Sequence, residues 1–227
     1  MIAHALITAR GGSKGLPKKN LRKINGISLV ENSINIAKSS GSFKEIFCSS
    51  DSKKILALAK KNSICINRPK RLSGDKSTSE SVVKHYLKFL RKKKIEYPKI
   101  LFLFQPTSPF IKTETIKKMI KIYKNDKKVN SIISVFRVPN KYNYVNQRKI
   151  KKGMGMQFIF KRKKKYSRRQ NKPIVYVHGN LYSVKVKSFE KKNSFFINPI
   201  KTVQIKTFKE SIDIDNKFDY ELVKKLS

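Results

Sequence analysis

Short apolar runs rich in β-branched and aromatic residues alternate along this chain with segments of helical periodicity, and that alternation leaves very few architectures open. The runs cover residues 2–8, 45–49, 63–66, 99–104 and 131–136. Helical patterns fill the intervals at 29–39, 52–62, 77–94 and 113–125, with Ser52, Thr78 and Thr113 at cap or first-turn positions. Unbroken apolar runs suit strands buried on both faces. A strand–helix–strand rhythm then requires a parallel sheet with right-handed crossovers. The expected class is α/β, a mostly parallel sheet flanked by helices. After about Pro139 the rhythm changes: short strands are expected around 142–145 and 156–160, joined by lysine-rich turns, before 174–177 and 181–186 return to the core. With 227 residues and 39% hydrophobic content, the chain can bury one sizeable core as a single domain with a small appendage.

The first run opens into Arg10-Gly11-Gly12-Ser13-Lys14-Gly15-Leu16-Pro17-Lys18-Lys19-Asn20. Open α/β sheets bind ligands at the carboxyl ends of their strands. Glycines let backbone N–H groups approach an oxyanion, and Arg10, Lys14 and Lys19 can neutralise polyphosphate oxygens. The loop is not a P-loop, because Gly15 precedes Leu16 and Pro17 rather than Lys-Ser/Thr, and its glycines lack the dinucleotide-binding spacing. Pro17 fixes its own φ and holds Leu16 extended, so the loop must wrap its ligand before a helix begins. An ordinary basic turn would also account for these residues in so lysine-rich a chain. Near the other end stand Asp213 and Asp215, two of only 14 acidic residues. On an extended segment both carboxylates face one side and can share one hard cation. Asp215 could instead cap a helix over 216–226. A cationic loop with a distant carboxylate pair suggests a nucleoside triphosphate and its metal.

The net charge of +40 would ordinarily point to nucleic acid or an anionic membrane. Lysine, however, is spread along the whole length, which argues against a focused nucleic-acid face. The densest run, 161–165, is followed by Tyr166 as its one aromatic, too few for base stacking, and reads as a solvated loop or a lysine-blunted strand edge. No stretch approaches the ~18 to 20 apolar residues of a membrane span, and no basic region precedes the first apolar run as a secretory signal requires. A soluble cytoplasmic protein is expected, without specific nucleic acid or membrane partners. Cys48 and Cys65 lack metal or redox spacing and are expected as buried free thiols. His4 and His85 have no ligand-spaced partners, so packing or surface roles are their default.

The string from Ala9 to Leu21 resembles the opening of the acylneuraminate cytidylyltransferase family, the CMP-sialic acid synthetases. Further landmarks stand in the family's order: Arg68-Pro69 followed by Asp75 and a Ser/Thr cluster, then Leu103-Phe104-Gln105-Pro106-Thr107-Ser108-Pro109-Phe110, then Ser211-Ile212-Asp213-Ile214-Asp215. The resemblance covers nearly the whole chain. It implies a Rossmann-like nucleotidyltransferase that joins CTP to a nonulosonic acid and releases pyrophosphate, for lipopolysaccharide or capsule biosynthesis. It also implies a homodimer, with a β-rich dimerisation and substrate arm at about 138–173.

The same resemblance assigns the triphosphate to Arg10, Gly11, Gly12, Ser13, Lys14 and Lys19, and Mg2+ to Asp213 and Asp215; Arg10, Lys19 and the two aspartates form the catalytic set. Asn20, Arg71, Ser77, Thr78 and Ser79 are implied for cytosine or ribose, although a helix cap explains at least one of the last three equally well. Gln105 is implied for the sugar. Arg168 and Arg169, which precede Gln170, are implied for its carboxylate, which a guanidinium can grip bidentately, often from the neighbouring subunit. His178 and Asn180 stand where the family typically shows Asn-Gly-Ala-Ile-Tyr. That departure falls on the sugar pocket and leaves N-acetylneuraminate, legionaminate and pseudaminate open. A Kdo cytidylyltransferase is the neighbouring alternative, against which Lys-Lys-Asn-Leu and Asp-Ile-Asp favour the sialic acid branch. From another class, a basic nucleic-acid-binding protein with a degenerate transferase core would need its charges gathered on one face.

Overall fold

The fold begins with the apolar run as β1 (Ala3–Thr8), the glycine loop and a minimal hairpin, β2 (Lys23–Ile24) and β3 (Ile27–Ser28). The structure is a computed structural model that describes residues 1–153, 155–160 and 164–227. Ser28 then caps α1 (Leu29–Ser39) through a capping box with Glu31. The alternation continues through β4 (Glu45–Ser50), α2 (Lys53–Ala59), β5 (Ile64–Asn67), α3 (Ser79–Lys93), β6 (Ile100–Phe104), α4 (Thr113–Asn125) and β7 (Ser131–Arg137). Ser52 and Thr78 cap α2 and α3 with their side-chain oxygens.

The remainder departs more from the sequence reading. Residues 142–145, expected as strand, lie in two 3-10 turns, Asn140–Tyr142 and Tyr144–Asn146, where Asn143 accepts a hydrogen bond from the Val145 amide and favours a turn over a ladder. Next is a two-stranded hairpin, β8 (Arg148–Ile150) with β9 (Met156–Phe158). Residues 161–163 of the lysine run lie outside the described residues. The two strands expected at 174–177 and 181–186 are one, β10 (Tyr176–Lys185). Its register against β7 shifts between His178 and Tyr182, where a Cβ on Gly179 would meet Ser134 Oγ at 2.5 Å; glycine is what lets the strand pass without breaking. Val186 opens α5 (Val186–Lys192) instead of ending a strand. Then come β11 (Ile200–Ile205), α6 (Phe208–Ser211) and α7 (Lys217–Leu226).

Seven strands form the central sheet in the order β11-β7-β10-β6-β1-β4-β5, parallel throughout except that β10 runs antiparallel to both its neighbours. The period of two along each strand splits the core. Ala3, Ala5, Ile7, Phe102 and Phe104 face α1 and α4 through Val30, Ile34, Ile116 and Met119, whereas Leu6, Leu101 and Leu103 face α3 and α5 through Val83, Tyr86 and Phe189. A third cluster joins the chain ends: Leu16 of the glycine loop and Leu29 pack with Ile212, Ile214, Tyr220 and Val223.

Cys48 is buried, which pushes its thiol up to about 12, while Cys65 is only half-buried because its strand is the sheet edge. His4 is fully buried and its Nδ1 pairs with the Tyr86 hydroxyl at 2.7 Å. No described helix is long and apolar enough to cross a membrane.

Candidate functional site

The order β6-β1-β4-β5 reverses direction between β1 and β6, and a crevice opens at such a point beyond the carboxyl ends of the strands. Four consecutive parallel strands deliver residues there: β1 leads to the glycine loop, β4 to Asp51, β5 to Arg68 and β6 to Gln105. The crevice is a cleft of about 480 Å3. Thr8, Arg10, Ser13, Lys14, Gly15, Lys19 and Asn20 line one wall; Arg68, Leu72–Asp75 and Ser77–Ser79 line another; Gln105, Pro106, Thr107, Asp213 and Asp215 close it.

The carboxylate pair is held as the alternation requires. Ile212 and Ile214 are buried while Asp213 and Asp215 are exposed, so both carboxylates lie on the cleft side of an extended segment. The Ile214 amide donates to the Thr107 carbonyl at 2.8 Å, and Ser108 Oγ donates to Asp213 Oδ1 at 3.1 Å. Asp215 does not cap α7. Asn216 does, in a capping box with Asp219, which leaves the Asp215 carboxylate to the cleft. Lys19, its side chain only 14% exposed, donates to the Ile214 carbonyl at 2.5 Å and lies 3.4 Å from Asp215 Oδ1. Among the described residues no group of three or more His, Cys, Asp and Glu could hold a metal. Two carboxylates beside a polyphosphate-sized cleft do fit Mg2+, which takes one or two carboxylates and completes its octahedron with substrate phosphates and water.

Arg10 Nη1 and Lys14 Nζ both contact Asp75, at 2.9 and 2.5 Å. The Lys14 ammonium and then the Arg10 guanidinium hold the Asp75 carboxyl below the usual carboxylate range. Asn20 is buried; its Nδ2 donates to the Arg10 carbonyl at 2.8 Å, while its Oδ1 has no partner among the described residues. Thr78 Oγ1 accepts from the Ser81 amide as the cap of α3, and Ser77 Oγ donates to the Arg71 carbonyl.

Several residues singled out in the sequence lie elsewhere. Gly11 and Gly12 do not line the cleft, and the Gly11 amide is already committed to Asp51 Oδ1 at 2.9 Å. Arg71 lies in the adjoining surface depression with Lys76 and Ser81. Arg168 and Arg169 are exposed on the segment between β9 and β10, outside the cleft. His178 is exposed on β10, its ring 4.9 Å from that of Phe196. Asn180 is spent inside the fold: its Nδ2 donates to the Glu210 carbonyl at 2.5 Å and its Oδ1 accepts from Ser134 Oγ at 3.2 Å.

Conversely, the sequence reading did not select Arg68, Asp51 or Asp75 as site residues. Arg68 is 5% exposed, and its Nε and Nη2 reach no acceptor among the described residues. Arg68-Pro69 marked the resemblance, but among 54 basic residues it was the burial of Arg68 that pointed to the site. Asp51 and Asp75 could have been suspected from the scarcity of acids and, for Asp51, from its place just past the end of β4.

The cytidylyltransferase family profile matches residues 4–227. The chain is 32% identical over 225 residues to the CMP-N,N'-diacetyllegionaminic acid synthase of Legionella pneumophila, covering 98% of this chain and 94% of that protein. It is 30% identical over 223 residues to the N-acylneuraminate cytidylyltransferase of Streptococcus agalactiae, covering 95% of this chain but spanning only 51% of that longer relative. In fold it is similar to a CMP:2-keto-3-deoxy-manno-octonic acid synthetase solved with CTP, with a TM-score of 0.72 at 14% identity over 100% of this chain and 98% of that one.

Proposed function

The chain belongs to the cytidylyltransferase family, and from that premise we propose that it joins CTP to a nonulosonic acid, giving the CMP-sugar and pyrophosphate. The observation that carries the reading is the single cleft in which the cations of the glycine loop meet the carboxylate pair, with Lys19 tying the two together. The relatives named for legionaminic and neuraminic acids support the substrate class.

In the reaction the anomeric hydroxyl of the sugar attacks the α-phosphorus of CTP, a new P–O bond forms, the hydroxyl proton is lost to water, and the bond to the pyrophosphate leaving group breaks. Transfer of this kind needs positioning and charge neutralisation more than covalent help. Arg10, Lys14 and Lys19 bind the triphosphate oxygens and stabilise the charge that gathers on the departing pyrophosphate. Asp213 and Asp215 would hold Mg2+, which would neutralise phosphate charge there. The idle donors of Arg68 suit the acceptor edge of cytosine, and the unpaired Asn20 Oδ1 suits a ribose hydroxyl. Gln105, just past the end of β6, lines the same cleft and is read as a contact to the sugar. Arg168 and Arg169 are read as reaching the sugar carboxylate of a second copy in a homodimer. Support comes from the apolar exposure of the segment between β7 and β10, where Ile150 is 83% and Met156 68% exposed, more than a lone hairpin sustains in water. The reaction is assigned to the cytoplasm, where CTP is available.

The test is pyrophosphate release from CTP and Mg2+ with a panel of N-acetylneuraminate, N,N'-diacetyllegionaminate, pseudaminate and Kdo. Turnover with at least one of the first three, and less with Kdo, is the expected result; no release with any acid overturns the proposal.

A further inference from the structure

Asp51 stands where β4 ends, its side chain 20% exposed, and its Oδ1 meets the start of the glycine loop and the cleft-lining Arg68 at once. It accepts the Gly11 amide at 2.9 Å and lies 4.0 Å from Arg68 Nη2. The first contact is a hydrogen bond. The second is too long for one, so Asp51 balances the charge of Arg68 without consuming its donors. Gly11 leaves no alternative approach, because a Cβ there would lie 2.9 Å from the Ser52 Cβ. The Arg68 amide donates to the Ser50 carbonyl at 2.8 Å, which anchors the arginine to the same strand end.

A guanidinium buried to this degree with idle donors is costly unless a ligand completes it, and a nearby carboxylate is what allows it to remain charged meanwhile. Burial lowers the pKa of Arg68, Asp51 opposes that shift, and Arg10 adds to it.

We propose that Asp51 is a positioning residue of the nucleotide site: it fixes the start of the glycine loop through Gly11 and holds the charged Arg68 side chain toward the cleft with its donors free for the nucleotide. The proposal rests on the cytidylyltransferase reading. Asp51 touches no reacting atom and acts through Arg68 and the loop, which makes ground-state CTP binding the quantity it governs.

Two substitutions separate the roles. Asp51→Asn keeps an acceptor for Gly11 and removes the charge, so KM for CTP rises about tenfold with kcat within about threefold of wild type, as loss of uniform binding predicts. Asp51→Ala also frees the loop carrying Arg10 and Lys14, so kcat falls as well. Arg68→Lys alone raises KM for CTP by a similar factor, and adding Asp51→Asn to it costs less than about twofold more, because linked residues are not additive. Melting temperatures are read alongside. An unchanged KM for CTP in Asp51→Asn or in folded Arg68→Lys, or full additivity of the two, overturns the positioning role while leaving the enzymatic reading intact. Wild-type protein that neither binds CTP in a calorimetric titration nor releases pyrophosphate from it overturns both. If Asp51→Asn melts below the assay temperature, the same KM and additivity measurements are made at a temperature where the variant is folded.

Discussion

Gly15 lies so close against Asp215 that a Cβ at position 15 would overlap the Asp215 carbonyl oxygen. The amino-terminal loop and the carboxyl-terminal carboxylate segment are thus in main-chain contact, and the adjacent packing of Leu16 with Ile212 and Ile214 keeps them there. Lys19 adds a polar link across the same seam. The seam fixes the spacing between cations and carboxylates, on which the proposed chemistry would depend.

Gly15→Ala should open that seam. Relief of the overlap requires backbone displacement, which in packed regions costs about 1–3 kcal/mol. The expected outcome is a lowered melting temperature with kcat/KM for CTP reduced about tenfold or more, since small misplacements of reacting groups have large effects. Near-wild-type kinetics in this variant would show that the contact does not set the spacing.

Asp213→Asn preserves the acceptor for Ser108 and the shape of the segment but removes half of the charge offered to a cation. Turnover should fall by a factor on the order of 100 or more with an unchanged melting curve, as loss of a transition-state electrostatic contact does. The Mg2+ concentration for half-maximal rate should rise as well. Wild-type-like turnover and Mg2+ response would remove Asp213 from the site.

Asp75 pairs with Arg10 and Lys14, the two cations that the proposed function assigns to the triphosphate. Because these groups are solvent-exposed, their pairing is weak and screened by salt, so a triphosphate can displace it. Asp75→Asn should therefore strengthen product inhibition by inorganic pyrophosphate several-fold, most visibly at low ionic strength. A pyrophosphate inhibition constant that is unchanged or higher would show that Asp75 assists the bound anion instead of standing in for it.

Apart from the two-residue strands β2 and β3, which are too short to carry a period, the strands and helices up to β7 were legible because each is apolar on both faces or on one helical stripe, and because Ser52 and Thr78 announce their helices. The chain beyond β7 was less so. β10 carries Gly179 and Asn180 in its middle, which read as a turn; only the close approach of Ser134 and the bonds from Asn180 to Glu210 explain an unbroken strand. The site divides similarly. Arg10, Lys14, Lys19, Gln105, Asp213 and Asp215 sit on two motifs and a strand end whose spacing survives in the sequence. Arg68 was legible as a landmark of the resemblance but not as a buried cation, and Asp51 gains meaning only from a contact across β4 and β5, which no local pattern encodes. Gly11 was legible as a glycine but not as a residue whose amide is already engaged.

His4 makes stability sensitive to mild acid. Burial, and secondarily Lys44, lowers its pKa to about 4, against which Glu96 acts only weakly; its Nδ1 is paired with the Tyr86 hydroxyl and its Nε2 is buried without a partner among the described residues. The unfolded chain binds this proton near the ordinary histidine value of about 6.5, whereas the folded chain resists it until about pH 4. Stability is therefore complete above about pH 6.5, declines as the pH falls through the interval down to 4, and loses nothing more from this group below that. Thermal melts should drop by about 5 °C between pH 7 and pH 5, given the few degrees per kcal/mol of a domain this size. The carboxylates Asp75 and Glu114, exposed, and Asp126, half-buried, are held below the usual carboxylate range and contribute only at lower pH, so the two effects separate on the pH axis. His4→Gln should remove most of the decline between pH 6.5 and 4, leaving the smaller part from His85, whose pKa burial also lowers. An equal slope in wild type and variant would mean that the buried imidazole is not the group being titrated.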